Sequence, residues 1–349
     1  MVVLGIVTWI VVAMRGQNHT FKQDFQIEEA SIPGAVTRIY MADKSDNQFS
    51  LVYKGDSLWL VDDRYPASEK MVDLMLQTLS DMRIRSKVNK AASENIITQL
   101  AVKSVKVEVY YKDYRINWFG GRLKLFRHEC RDVVYVGHDT PDMMGTYMYR
   151  EGDDSPYIIY IPGFRGCLSP RFVVDPYAWR SHSITNLPVQ RIAKVDLEIP
   201  SMPDESFSVV REGDGFVLML HNPERRADGF DSARVGALLS SFVNLNFDEF
   251  AHSVPKVELD STFRAAPRTV LRVTDVDGET RELRTYNKYS NPDDLLAMPD
   301  TTMYQVFDLN RLYAILNDKD TVLIQYYVFD NILQPASFFL GREHSYFAR

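Results

Sequence analysis

Apolar and polar positions alternate in two stretches of the chain that read alike. The first sets Val36-Thr-Arg-Ile-Tyr-Met41, Phe49-Ser-Leu-Val-Tyr53, Gly55-Asp56 and Leu58-Trp-Leu60 ahead of a helical stretch from Met71 to Met82. The second sets Ile192-Ala-Lys-Val-Asp-Leu197, Phe207-Ser-Val-Val-Arg211, Gly213-Asp214 and Phe216-Val-Leu218 ahead of a helical stretch from Ala233 to Asn244. A period of two predicts half-buried strands, and each Gly-Asp pair supplies the turn between the second and third of them. Val72, Met75, Leu76, Leu79 and Met82 then recur at helical spacing, as do Val235, Leu238, Leu239 and Phe242, so each helix must lay one apolar stripe on its sheet. Ser68 and Asp231 are of the residue types that cap helix N-termini.

More strands are expected behind each copy. Val105 to Tyr111, Val133 to Val136 and Tyr157 to Ile161 follow the first; Val270 to Val276, the turn Asp277-Gly278 and Glu282 to Tyr286 follow the second. A helix over Leu309 to Leu316 capped by Asp308, then a strand from Val322 to Phe329, completes the second set. The pattern predicts an α+β fold of two tandem repeated modules with largely antiparallel sheets, over residues 30–184 and 188–349, parting near Ser183 to Pro188.

Ahead of them lies a different pattern. From Val2 to Met14 no residue is charged and only Thr8 is polar, and Arg15 ends the run. A membrane-spanning helix needs roughly twenty such positions, and a signal peptide opens on Lys or Arg. The run is short and lacks that basic start, so residues 1–15 are read as a membrane anchor or signal segment with an upstream part missing. Val11 and Ala13 keep a cleaved signal peptide as the competing account, and a buried strand or helix as a third. No Cys follows the run, which argues against a lipoprotein anchor.

Composition narrows the function classes. A net charge of -7 gives no electrostatic reason for a nucleic-acid partner. Two cysteines, Cys130 and Cys167, exclude a disulfide scaffold and a four-thiolate zinc site, and leave open whether they pair or stay reduced. The glycine-rich phosphate loops, G-x-S-x-G and H-E-x-x-H are absent. His128-Glu129-Cys130-Arg131-Asp132 holds metal-ligand types, but successive strand residues face opposite ways and cannot converge. Ser45-Asp46-Asn47 reads as turn chemistry, and His138-Asp139 with Asp142 as a solvated loop without a matched nucleophile. The basic residues Arg83, Arg85, Lys87 and Lys90 and the pair Arg225-Arg226 read as solvated faces, with contact to anionic lipid as the lesser alternative. No catalytic residue, cofactor or metal ligand is expected.

The densest signal is Gly137-His-Asp-Thr-Pro-Asp-Met-Met-Gly-Thr-Tyr-Met148, followed by Pro156-Tyr-Ile-Ile-Tyr-Ile-Pro-Gly-Phe-Arg-Gly166, Arg171-Phe-Val-Val-Asp175 and Trp179-Arg180. With Ile39-Tyr-Met-Ala-Asp-Lys44 and the Trp59 strand, these resemble the bacterial envelope family catalogued as domain of unknown function 4340, particularly its members from Bacteroidota. The resemblance covers most of residues 30–184 and weakly the second copy. It implies a protein held in the inner membrane by a single span, its repeated α+β units in the periplasm, sometimes encoded near gliding-associated transport components. It brings no activity and no catalytic residues. A non-enzymatic component contacting an envelope protein partner is therefore expected, with Tyr147, Tyr157, Phe164, Arg165 and Trp179 as the candidate surface; the competing reading of that stretch is core strands and tight turns. The alternative function is a glycan- or lipid-binding module with Trp179, Tyr147 and Tyr157 lining a cleft.

Overall fold

The computed structural model describes residues 25–118, 123–290 and 307–341, with the backbone alone for 114–118 and 123–127. The apolar run Val2 to Met14 lies outside the described residues. Among them, no helix is long and apolar enough to cross a membrane. The chain divides into two compact units, the first ending at Ser181 and the second beginning at His182.

In the first unit, β1 (Val36–Ala42), β2 (Gln48–Gly55), β3 (Leu58–Val61) and β4 (Tyr65–Pro66) precede the helix Glu69–Asp81. Next come β5 (Arg83–Lys87), the helix Lys90–Lys103, β6 (Val105–Trp118), β7 (Leu123–Asp139), β8 (Thr146–Arg150), β9 (Tyr157–Tyr160) and a short helix, Pro176–Trp179. The strands form one antiparallel sheet in the order β4-β3-β2-β1-β6-β7-β8-β9-β5. Polar residues shape the turns. The Asp43 carboxylate accepts the N–H groups of Ser45 and Asn47, which turns Ser45-Asp46-Asn47 between β1 and β2.

Each face of this sheet meets a helix. Val72, Met75 and Leu79 of Glu69–Asp81 are fully buried with Ile39, Met41, Phe49, Leu51, Val107, Val109, Val136 and Met148. Burying each such side chain contributes about 1.5–3 kcal/mol, so this face carries most of the unit's stability. On the opposite face, Ile96 and Leu100 of Lys90–Lys103 pack with Tyr147, Tyr149 and Ile158. The edges are blunted. β4 has two residues, one of them proline, and β5 carries Arg83, Arg85 and Lys87, which discourages pairing with another chain.

The second unit repeats this plan. β10 (Ser183–Thr185) pairs with β15 (Leu245–Asn246). The large sheet is built from β11 (Ile192–Glu198), β12 (Phe207–Glu212), β13 (Gly215–His221), β14 (Glu224–Arg226), β16 (Glu249–Phe250), β17 (Thr269–Asp275), β18 (Thr280–Tyr289), β19 (Phe307–Leu316) and β20 (Asp320–Gln325). Its order, β14-β13-β12-β11-β17-β18-β19-β20-β16, matches the first sheet position by position. The helix Ser232–Ser241 buries Val235, Leu238 and Leu239, as its counterpart buries Val72, Met75 and Leu79. The helix Lys256–Phe263 covers the other face beside Tyr286 and Tyr313.

Three details repeat as well. The first strand of each sheet has a register shift at the same place, between Val36 and Arg38 and between Ile192 and Lys194. The incoming chain is tied to the end of the helix, Ile27 N–H to the Leu79 carbonyl at 2.8 Å and Leu187 N–H to that of Phe242 at 2.9 Å. The outgoing chain is tied to the helix start: Ser68 N–H donates to the Trp179 carbonyl and Asp231 N–H to the Phe339 carbonyl, both at 2.8 Å.

Several expectations need correcting. Leu309 to Leu316 is not a helix but part of β19, paired with β18 and β20. Asp308 does accept the N–H groups of Asn310 and Arg311, yet the turn it caps is an irregularity within a strand. The last strand stops at Gln325, and Tyr326–Phe329 is helical. Ser68 makes no side-chain cap, whereas the Asp231 carboxylate accepts from Ala233 and Arg234. Of the two readings left open for the cysteines, the reduced one holds: no disulfide joins Cys130 and Cys167.

Candidate functional site

β7 ends at Asp139 and β8 begins at Thr146, and the loop between them is stiffened from within. Thr140 N–H donates to the Gly145 carbonyl at 2.9 Å, and Met143 N–H to that of Thr140 at 2.8 Å. The Thr140 hydroxyl donates to Asp142 Oδ1 at 2.6 Å, and the same oxygen accepts Met144 N–H at 3.1 Å. These two bonds hold the Asp142 carboxyl below its ordinary range, helped by Arg85 at 2.9 Å. Met143 takes a left-handed φ of 55° to close the turn. Gly145 lies so close to β9 that a Cβ there would sit 2.7 Å from Ile158 Cγ2 and 3.1 Å from the Ile159 carbonyl, so the position accepts only glycine.

A second segment, Ile161 to Arg171, is fastened to this loop. Thr146 is fully buried; its hydroxyl donates to Asp139 Oδ1 at 2.7 Å and accepts Leu168 N–H at 2.8 Å. Ser169 donates to the other Asp139 oxygen at 2.6 Å. Phe164 N–H closes a tight turn on the Ile161 carbonyl, and Arg171 stands 4.5 Å over the Phe164 ring while its guanidinium donates to Thr78. Cys167 Sγ lies 3.8 Å from Met143 Sδ. Burial and the nearby Asp139 carboxylate raise the Cys167 thiol's pKa, so it stays protonated and is not poised as a nucleophile.

This framework displays apolar side chains. Met143 is 60% exposed, Met144 41% and Phe164 38%, with Arg165 exposed beside them. Large apolar residues held in water on a braced backbone form a surface that pays little ordering entropy on contact. Methionine adds adaptability, because its thioether side chain fills irregular gaps.

The other predicted surface residues do not share this place. Trp179 is 1% exposed, its ring tilted against Phe49 and its indole N–H on the Val173 carbonyl; it belongs to the core. Tyr147 pairs across the strands with Ile158, and Tyr157 with Met148, so the two tyrosines point to opposite faces of the sheet. Tyr147 lies under the helix Lys90–Lys103 and beside His138, ring centroids 4.8 Å apart. Tyr157 packs on the main core and against Phe25. No single cleft joins Tyr147, Tyr157 and Trp179. Phe164 and Arg165 remain at the surface, and Met143 and Met144 join them; both methionines stood inside the densest sequence signal, but nothing in the pattern marked them as displayed.

The acids near His138 are committed to structure. Asp139 holds Thr146 and Ser169, and Asp142 holds Thr140, Met144 and Arg85. Sequence reasoning missed a cluster in the second unit, where Ser208 donates to Asp196 Oδ1 at 2.5 Å and lies 2.7 Å from His221 Nε2. A hydrolytic triad puts the imidazole between hydroxyl and carboxylate, one ring nitrogen toward each. Here the serine proton already points at the carboxylate, Nε2 also sits 3.3 Å from that same oxygen, and Ser208 is 3% exposed. The cluster braces three adjacent strands. Among the described residues, no group of three or more His, Cys, Asp or Glu side chains is placed to hold a metal.

The profile of the family described as domain of unknown function (DUF4340) matches residues 59–264, from β3 of the first unit to the end of the helix Lys256–Phe263 in the second. The chain belongs to this family. No curated protein and no solved structure matches it.

Proposed function

We propose that this protein is a non-enzymatic component of the cell envelope, held at the inner membrane through its N-terminal segment, whose periplasmic units dock an envelope protein. The observation that carries this reading is the exposure of Met143, Met144 and Phe164 on loops locked by Thr140, Thr146 and Asp139. Three apolar side chains on a rigid mount, with the exposed Arg165 next to Phe164 in the chain, have the composition of an interface centre. The blunted strand edges point the same way, since contact through loops leaves the sheet backbone unused.

Photo-crosslinking in native membranes tests it. A photoreactive residue at Met143 or Phe164 is expected to give one discrete adduct, lost when Met144→Asp is added, while the same residue at the exposed Val276 of the second unit gives none. Identical patterns at all three positions would sink the proposal.

A ligand-binding role finds its support elsewhere. In the second unit a cleft of about 430 Å³ is lined by Arg268, Tyr286, Tyr289 and Phe307, the last two with ring centroids 5.2 Å apart. Aromatic faces beside a polar group suit a sugar ring. Chemical-shift changes at Tyr289 on adding envelope oligosaccharides would favour this reading over protein docking.

A further inference from the structure

The two sheets differ at one corresponding place. In the second unit the hairpin β17–β18 turns over directly after Asp275, where pairing with β11 also ends, through the four residues Val276 to Glu279. In the first unit pairing with β1 ends at the equivalent Tyr111, but β6 and β7 run on. Lys112 pairs with Glu129, Asp113 with His128, Tyr114 with Arg127, Ile116 with Leu125, Asn117 with Lys124 and Trp118 with Leu123. β8 joins β7 only from Val134 onward, so over this stretch the two strands pair with each other as a ribbon roughly 20 Å long. The second unit builds the same sheet without such an extension. The fold does not require it.

The ribbon's composition is unlike the rest of the chain. One set of alternating positions holds Tyr114, Ile116, Trp118, Leu123 and Leu125 with Arg127 at its base; the positions between hold Arg115, Asn117, Lys124 and Phe126. Beyond the Asp113–His128 pair the charged residues of the two strands are Arg115, Lys124 and Arg127, in a chain whose net charge is -7. An apolar register carrying Trp and Tyr, interleaved with bases, is the pattern of segments that settle among lipid headgroups, where rings sit at the interface and bases meet phosphate.

We infer that the β6–β7 ribbon is a membrane-contacting arm that lies on a bilayer surface containing anionic lipid. This is separate from the docking of a protein at Met143, and each can fail without the other.

The test uses the full chain reconstituted into vesicles of phosphatidylcholine alone or with about one-third phosphatidylglycerol, with brominated acyl chains as quenchers. The emission of Trp118 is taken as the difference between the natural chain and Trp118→Phe, which cancels the other tryptophans. Quenching of that emission is expected in the anionic vesicles and at least severalfold less in neutral ones. Each basic residue near an anionic surface strengthens contact about fivefold, so Arg115→Glu with Lys124→Glu and Arg127→Glu should reduce quenching to the neutral level. Circular dichroism and thermal unfolding should match the natural chain, because the sheet closes without the arm. Equal quenching in both lipids, no quenching in either, or charge reversal without effect overturns the inference. So does a concentration-dependent dimer in detergent that the three reversals abolish, which would make the ribbon's occupant a second copy.

Discussion

The indole of Trp179 lies against the ring of Phe49 with centroids 5.8 Å apart, and Phe339 lies against Phe207 at 4.9 Å in the corresponding place of the second unit. Phe49 pairs with Met41 and Phe207 with Leu197 near the start of the second strand of each copy, so each unit is closed by an aromatic residue from its C-terminal end packing on the same strand position. Trp179→Ala and Phe339→Ala should each cost about 3–5 kcal/mol, the usual loss for emptying a buried aromatic site. Urea unfolding followed by circular dichroism measures it. A loss below about 1 kcal/mol for both would show that the closing helices ride on the core without holding it.

Gly137 gives a sharper test of packing. A Cβ at this position would lie 2.4 Å from Leu100 Cδ2 and 3.0 Å from the Tyr147 carbonyl, so Gly137→Ala displaces the Leu100 side chain that packs the helix Lys90–Lys103 on β7. The expected cost is about 1–3 kcal/mol. Leu100→Ala alone also destabilises, by opening a cavity. The double variant should be less unstable than the two losses added together, with a coupling of at least about 0.5 kcal/mol. Simple additivity would mean that the Tyr147 carbonyl is the obstacle.

Thr146 connects the loop that carries the exposed methionines to the segment that carries Phe164. Thr146→Val keeps the volume but leaves Leu168 N–H and one Asp139 oxygen short of a partner, at about 1–3 kcal/mol. Amide exchange at Leu168 should speed up by at least tenfold while exchange in β1 and β2 is unchanged. Docking to the partner should weaken in step with that loosening. A protected Leu168 amide in the variant would show that the brace lies elsewhere.

Asp308 predicts a pH dependence. Burial alone would raise its carboxyl, but the Lys288 ammonium at 2.9 Å and the N–H groups of Asn310 and Arg311 outweigh it and hold the group below its ordinary value of 3.8. A carboxyl depressed in the folded state adds stability above the unfolded pKa and loses it as pH falls through the folded one. Asp308→Asn should therefore cost about 1–2 kcal/mol at pH 6–7, and the gap to the natural protein should close below pH 3.8. A deficit that stays constant down to pH 2.5 would mean that the side chain's shape matters and its charge does not.

The repeat was legible because both copies keep period-two alternation ahead of a helix with one apolar stripe. The β19 region misled for a physical reason. Leu309, Leu312, Tyr313 and Leu316 fall at i, i+3, i+4 and i+7 behind a capping residue, which imitates a helix. In the sheet, Leu312, Tyr313 and Ala314 are buried in succession because helices cover both faces there, and a strand buried on both faces loses its alternation. The continuation of β6 past Tyr111 has no counterpart in the second copy, so the repeat gave no sign of it. In the candidate site, Phe164 and Arg165 were readable from the turn at Pro162-Gly163. Trp179 was not, since nothing local distinguishes an aromatic that closes a core from one that greets a partner. The bracing of Met143 depends on hydroxyls and carboxylates up to 30 residues apart in sequence, and no local pattern records such a meeting.

The shift between Val36 and Arg38, and its twin between Ile192 and Lys194, works as a corner piece. With a spare residue there, Val36 and Ile39 both reach the core, as do Ile192 and Val195, although their spacing of three would put them on opposite sides of a regular strand. That residue also sets how far the preceding chain reaches. Taking it out would draw Ile27 and Leu187 about 3.3 Å along the strand, away from the helix carbonyls that receive them. The length of the first strand thus acts as a ruler cut twice to the same mark, and a single-residue deletion at Thr37 or Ala193 should unfasten the front of a unit whose core it leaves untouched.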